Sequence, residues 1–206
     1  MLKIKAIYAN TESLEVRNSI FEKTHALLEG GAMVIDTAWM AKSNHHIENS
    51  NFTMATSKKG GAIYYGISGG TDIGKKSVSP ASGLLRGLRF ESCVATEAAG
   101  AVYFDDVEVH VDNSNFFNCT AGQFGGAILT NTGTVNISAS SFENCRVQAD
   151  IQTDVCFRLI LTSTIGTRGW NGNVLYVLEP HWADTIANEF DPRSACMLTP
   201  QNLPSK

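Results

Sequence analysis

Hydrophobic and polar residues alternate along most of this chain with a period of two. GAVYF, VEVHV and SNFFNC follow one another in one stretch, and GAILT, TVNIS and SSFENC in the next. A period of two predicts strands, and no piece reaches the ~10 residues that a helix with its 3.6 period would need. The alternating pieces recur in a fixed order. Phe21 precedes Gly30-Gly31-Ala32-Met33, Phe52 precedes Gly60-Gly61-Ala62-Ile63, Phe90 precedes Ala99-Gly100-Ala101-Val102, and Phe116 precedes Gly125-Gly126-Ala127-Ile128. Phe142 opens a fifth copy without glycines. From each Phe to its first small residue the offset is 9, 8, 9 and 9, and the Phe-to-Phe spacings are 31, 38, 26 and 26. A unit of 26 residues with insertions of 5 and 12 accounts for all four spacings.

A fixed period of this length marks a solenoid. Three strands of about five residues per unit predict a right-handed parallel β-helix over 1–150, all-β, with an irregular C-terminal tail over 151–206. The insertions fall in loop-like text, around DTAWMAKSNHH (36–46) and GISGGTDIGKKSVSPASGLLRG (66–87). Pro80 lies in the second of these, and Pro180, Pro192, Pro200 and Pro204 lie in the tail, so proline is excluded from the repeated pieces. Backbone donors committed to ladders impose that exclusion.

In such a stack each residue lies ~4.8 Å from its counterpart in the next coil. Phe21, Phe52, Phe90, Phe116 and Phe142 then form an internal aromatic ladder, each contributing roughly 2 kcal/mol by burial. Gly30, Gly31, Gly60, Gly61, Gly100, Gly125 and Gly126 mark a corner where positive φ and close approach of the next coil exclude a side chain. Cys93, Cys119 and Cys145 share one register, read as small buried hydrophobes with free thiols. Asn118 and Asn144, with Ser92, share another, read as inward residues that hydrogen-bond along the stack.

The repeated text resembles the polymorphic outer-membrane protein repeats, with their GGA[ILV] and FxxN signatures, over roughly residues 14–150. The last three units depart from it, because Cys93, Cys119 and Cys145 occupy the place of that Asn. The resemblance implies a pectin-lyase-like β-helix. It also implies an extracellular or cell-surface passenger with an adhesin-like role, belonging to a larger polypeptide, with a host protein or glycan as partner. The runner-up readings are a polysaccharide lyase or hydrolase on the same scaffold, and a non-functional fragment of a larger repeat protein.

Composition narrows the classes further. A formal charge of -4, from 16 basic and 20 acidic residues, shows no basic stripe, so nucleic acid is not an expected partner. No apolar run approaches the ~18 residues of a membrane span. Five cysteines without a CxxC argue against a zinc site, and no metal, cofactor or catalytic residue is expected. Asp105-Asp106 is the nearest text to a catalytic carboxylate pair, with Arg86 and Arg89 one unit away, but Asp36, Gly66, Asp105 and Asn131 share one turn position. Turn chemistry explains such a row without catalysis. His45-His46 reads as a solvated loop pair. One member of Tyr64-Tyr65 and one of Tyr103-Phe104 should face outward as an aromatic strip. Asn51, Asn118 and Asn136 begin glycosylation tripeptides. In the tail, CFRLILTSTI and NVLYVLE read as strands, and 181–190, with Trp182, Ile186 and Phe190 on one face, reads as a helix that caps the stack or opens another domain.

Overall fold

A computed structural model of the chain describes residues 3–4, 6–37, 43–67, 81–131, 133–148, 160–163 and 175–177. Every paired strand is parallel to its neighbour, and the described residues contain no helix. The strands form four stacked sheets, an arrangement consistent with a β-helix or solenoid. Sheet I runs Lys3–Ile4, Ile20–Glu22, Asn51–Thr53, Arg89–Glu91, Asn115–Phe117, Ser141–Glu143. Sheet II runs Ser13–Arg17, Asn44–Glu48, Ala81–Arg86, Val107–Asp112, Gly133–Ser138, Ile160–Ser163. Sheet III contains Thr56–Lys59, Val94–Ala98, Thr120–Ala121 and Arg146–Val147. Sheet IV runs Ile7–Ala9, Met33–Asp36, Ile63–Gly66, Val102–Phe104, Ile128–Thr130, Leu175–Val177.

Sheet III corrects the expectation of three strands per coil. Its strands are short, and their buried residues are small ones such as Ser57, Ala95 and Ala121. They carry no apolar alternation to announce a strand, and pairing with the neighbouring coil makes them one. The tail strands Ile160–Ser163 and Leu175–Val177 pair with Gly133–Ser138 and Ile128–Thr130, so sheets II and IV run past residue 150. The helix expected over 181–190, Cys156, Cys196 and the loop 68–80 lie outside the described residues.

The interior is built by register. Phe21, Phe52, Phe90, Phe116 and Phe142 pair in sequence along sheet I. Their rings stack with centroids 4.7, 4.9, 4.7 and 4.7 Å apart and planes within 12° of parallel. The ring spacing is the ladder spacing of a sheet, so the backbone sets the geometry of the aromatic stack. Beside it, Cys93, Cys119 and Cys145 are free thiols buried to 0–1% exposure. Each Sγ points at the carbonyl of the Phe one coil back, 3.5 Å from Phe52 O, 4.0 Å from Phe90 O and 3.5 Å from Phe116 O. Burial pushes the Cys119 thiol well above its ordinary pKa, which keeps it protonated.

The paired glycines divide the corner's work. Gly30, Gly60 and Gly125 hold φ of 52°, 63° and 60°, and Ala99 holds 60° at the same place. The second glycine answers a different constraint. A Cβ on Gly31 would lie 2.2 Å from Gly61 O, one on Gly61 2.1 Å from Gly100 O, and one on Gly100 2.1 Å from Gly126 O. No real Cβ approaches a carbonyl so closely, so only glycine lets successive coils close up.

Asn118 and Asn144 are not inward. Both are exposed, with φ of 53°, and they continue a row of left-handed turn residues with Lys23, Met54 and Ser92. Asn tolerates that conformation better than most residues, which is why it recurs there. The inward polar row lies two residues before each Phe. Ser19, Ser50, Ser114 and Ser140 are buried, and Leu88 takes the place in the third coil. Ser114 N donates to Ser140 Oγ at 3.1 Å and Leu88 N donates to Ser114 Oγ at 3.2 Å. Each serine hydroxyl in turn donates to the carbonyl two residues back.

Candidate functional site

Chemistry needs polar groups that the fold has not already used. The row after sheet IV has used its carboxylates. Asn131 Nδ2 donates to Asp105 Oδ1 at 2.8 Å, and the Tyr64 hydroxyl lies 3.3 Å from Oδ2 while donating to Ile67 O at 2.8 Å. The Tyr8 hydroxyl donates to Asp36 Oδ2. Gly66 interrupts the row because a Cβ there would lie 2.5 Å from Asp105 Cβ. Arg86 pairs with Asp112 at 3.0 Å, and Arg89 with Glu91 at 3.0 Å. Neither arginine is paired with Asp105.

The outward aromatics of sheet IV do not form an exposed strip. Tyr64 and Tyr103 stack with centroids 5.2 Å apart but are only 2% and 7% exposed, packed with Ala98, Ala99 and Leu129 in a second apolar cluster. Burial, with Asp105 beside them, pushes both phenols far up, so they stay neutral. Tyr65 and Phe104 point inward and are fully buried.

His45 is also not a loop residue. It sits on Asn44–Glu48 with 0% exposure. Its Nε2 lies 2.7 Å from Thr11 O and its Nδ1 2.8 Å from the Tyr65 hydroxyl. A carbonyl only accepts, so Nε2 carries a ring proton, while the Tyr65 hydroxyl has a single proton for Nδ1 and for Ser82 O. Tyr65 also reaches Ser82 O at 2.7 Å. Room for its ring comes from Gly83, which pairs with His45, since a Cβ on Gly83 would lie 2.6 Å from Tyr65 Cε1. Burial lowers the His45 pKa, only partly opposed by the hydrogen bond to Thr11 O. Sequence reading missed this site because its partners come from separate coils.

The outer face of sheet II is different. Alternation turns Val107, Val109 and Val111 inward and Glu108, His110 and Asp112 outward. Register places Ser82, Glu108 and Thr134 in one outward row, and Leu84, His110 and Asn136 in the next. These residues line an open depression of about 430 Å³. No family model, curated protein or solved structure matches this chain. The depression must therefore be judged by its own chemistry. It holds a carboxylate, an imidazole, two hydroxyls and two amides over an apolar patch at Leu84. Among the described residues no group of three or more His, Cys, Asp or Glu side chains is placed to hold a metal ion. No described helix is long and apolar enough to cross a membrane.

Of the residues singled out in the sequence, the Phe, Gly and Cys sets are brought together along the stack. Asn118 and Asn144 lie on its surface, Asn51 is exposed on sheet I, and Asn136 lines the depression.

Proposed function

We propose that this chain is a non-catalytic, surface-exposed passenger of a larger polypeptide, with an adhesin-like role carried out through outward side chains. Its coils are read as right-handed, the sense taken by about 98% of parallel crossovers within one sheet. The observation that carries the reading is the engagement of the candidate catalytic groups. Asp105 is held by Asn131 and Tyr64, and the neighbouring guanidiniums are paired with Asp112 and Glu91. A general acid or base needs a carboxylate free to meet substrate, and a lyase needs cationic groups converging on the same groove. What remains available is a polar sheet face suited to binding.

The test is a product assay with Ca²⁺ against acidic and neutral polysaccharides, reading both unsaturated products and new reducing ends. No product, together with retention of ligand on a glycan or host-protein array, is the expected result. Product that disappears on Asp105→Ala or Asp106→Ala would overturn the reading in favour of a lyase or hydrolase.

A further inference from the structure

We infer that the open face of sheet II is a binding site for a neutral oligosaccharide, centred on Glu108, His110, Thr134 and Asn136. The inference rests on the non-catalytic reading above and adds a ligand class and a place. The first ground is what the face leaves unspent. Among the described residues these four side chains make no hydrogen bond or ion pair, whereas the outward row beside them is internally satisfied. In that row Arg17 meets Glu48 at 3.4 Å, Arg86 meets Asp112 at 3.0 Å, and Ser138 Oγ donates to Asp112 Oδ1 at 2.8 Å.

The second ground is charge. The paired row presents no free cation among the described residues, and of these the one with a formal charge lining the depression is Glu108. A sulfated or uronic polymer would bring anions to a carboxylate without a cation to receive them, at a Coulombic cost. Sugar hydroxyls instead both donate and accept. They can give a proton to Glu108 and take one from the Asn136 amide.

The third ground is shape. Leu84 and His110 pair across adjacent strands and offer an apolar and a planar surface to the C–H face of a pyranose ring. Each row places a different side chain at the same register position every ~4.8 Å, Ser82, Glu108 and Thr134 in one and Leu84, His110 and Asn136 in the other, so a linear oligosaccharide lying along the axis meets one pair per coil. A peptide has less to gain. The backbone donors and acceptors of Val107–Asp112 are used by Ala81–Arg86 and Gly133–Ser138 on either side, which closes the face to strand addition.

The experiment uses the full chain made in a bacterial host without N-glycosylation, so that Asn136 stays bare. Calorimetric titrations would compare neutral gluco-, xylo-, manno- and galacto-hexasaccharides with hexagalacturonate and a heparin hexasaccharide. At least one neutral hexasaccharide should bind. Glu108→Gln and Asn136→Asp, both of near-native shape, should each weaken it at least tenfold with unchanged thermal melts. Asn51→Ala, on sheet I, should change it less than twofold, as should raising the salt. Binding confined to the anionic glycans would overturn the inference. So would neutral binding that survives both variants, or no binding to any neutral member. Those results would leave the interaction reading standing, whereas sugar cleavage by the protein would sink that reading itself.

Discussion

The phenylalanine stack and the buried site at His45 lie in the same interior but are assembled on opposite terms. Along sheet I five successive coils contribute the same residue, and the rings repeat the backbone spacing at 4.7–4.9 Å. Beneath sheet II the corresponding row reads Leu14, His45, Gly83, Val109, Val135. There the Tyr65 ring fills the space that Gly83 leaves, and its hydroxyl meets the imidazole of the coil before. Repetition satisfies a constraint set by the backbone, so each coil must meet it. Compensation satisfies a constraint between particular side chains, so one coil may break the pattern if another answers it. Two glycines separate the cases. Gly100 is small because the Gly126 carbonyl and Thr120 backbone lie where its side chain would be, and Gly83 because a Tyr side chain does.

The sharpest way to break the comparison is Gly100→Ala. Its Cβ would stand 2.1 Å from Gly126 O and 2.6 Å from Thr120 N. Backbone in a ladder cannot withdraw without losing hydrogen bonds on both sides. The expected loss exceeds about 4 kcal/mol, seen as a collapse of the urea midpoint or failure to fold, and no second substitution in a neighbouring side chain restores it. Gly83→Ala should cost less, about 2 kcal/mol from overpacking. On a Tyr65→Leu background that cost should fall below about 0.5 kcal/mol, because the obstructing ring is gone. A double-mutant cycle reads the coupling directly. Equal penalties on both backgrounds would erase the distinction between the two glycines.

Acid probes the His45 site without mutation. Its folded pKa lies below the ordinary histidine value of 6.5 because burial disfavours the charged ring. The unfolded chain therefore binds more protons than the folded one as pH falls through 6.5, and stability rises with pH across that window. Stability should be at its full value above 6.5, fall as the pH drops toward the folded pKa, and gain no further loss from this group below it. Urea titrations between pH 7.5 and 5 should show the decline, and His45→Gln should flatten it. A decline unchanged in His45→Gln would assign the sensitivity elsewhere.

What the sequence made legible follows the same division. The Phe, Gly and Cys rows could be read because identity at fixed spacing survives insertion. The serine row was as legible, since Ser19, Ser50, Ser114 and Ser140 each stand two residues before a ladder Phe, but Leu88 interrupts it. Asn118 and Asn144 were assigned the wrong side because periodicity gives the register and not the backbone hand; positive φ turns their side chains to solvent. His45 was unreadable locally. Its burial depends on Tyr65 and Gly83, which lie 20 and 38 positions along the chain. The open face of sheet II could be expected from the alternation of VEVHV and TVNIS. Which of its polar groups remain unpaired depends on cross-coil partners, and those only register supplies.

The smallest effect tests whether the exposed turn row obeys the backbone rule that governs Gly100. Met54 holds φ of 53° and is 48% exposed, in the row that carries Asn118 and Asn144 at the same φ. A left-handed conformation costs an L-residue about 1–2 kcal/mol, and Asn recovers part of that through local hydrogen bonding of its short side chain. With half its surface already in water, Met54 gives up little packing on replacement. Met54→Asn should therefore raise stability by about 0.5–1 kcal/mol, read as a higher urea midpoint at unchanged slope. The reverse change, Asn118→Met, should lower it by a similar amount. If Met54→Asn proves neutral while Asn118→Met destabilises, the row is held by contacts peculiar to each coil. The exposed turns would then belong with the His45 site, on the compensated side of the comparison.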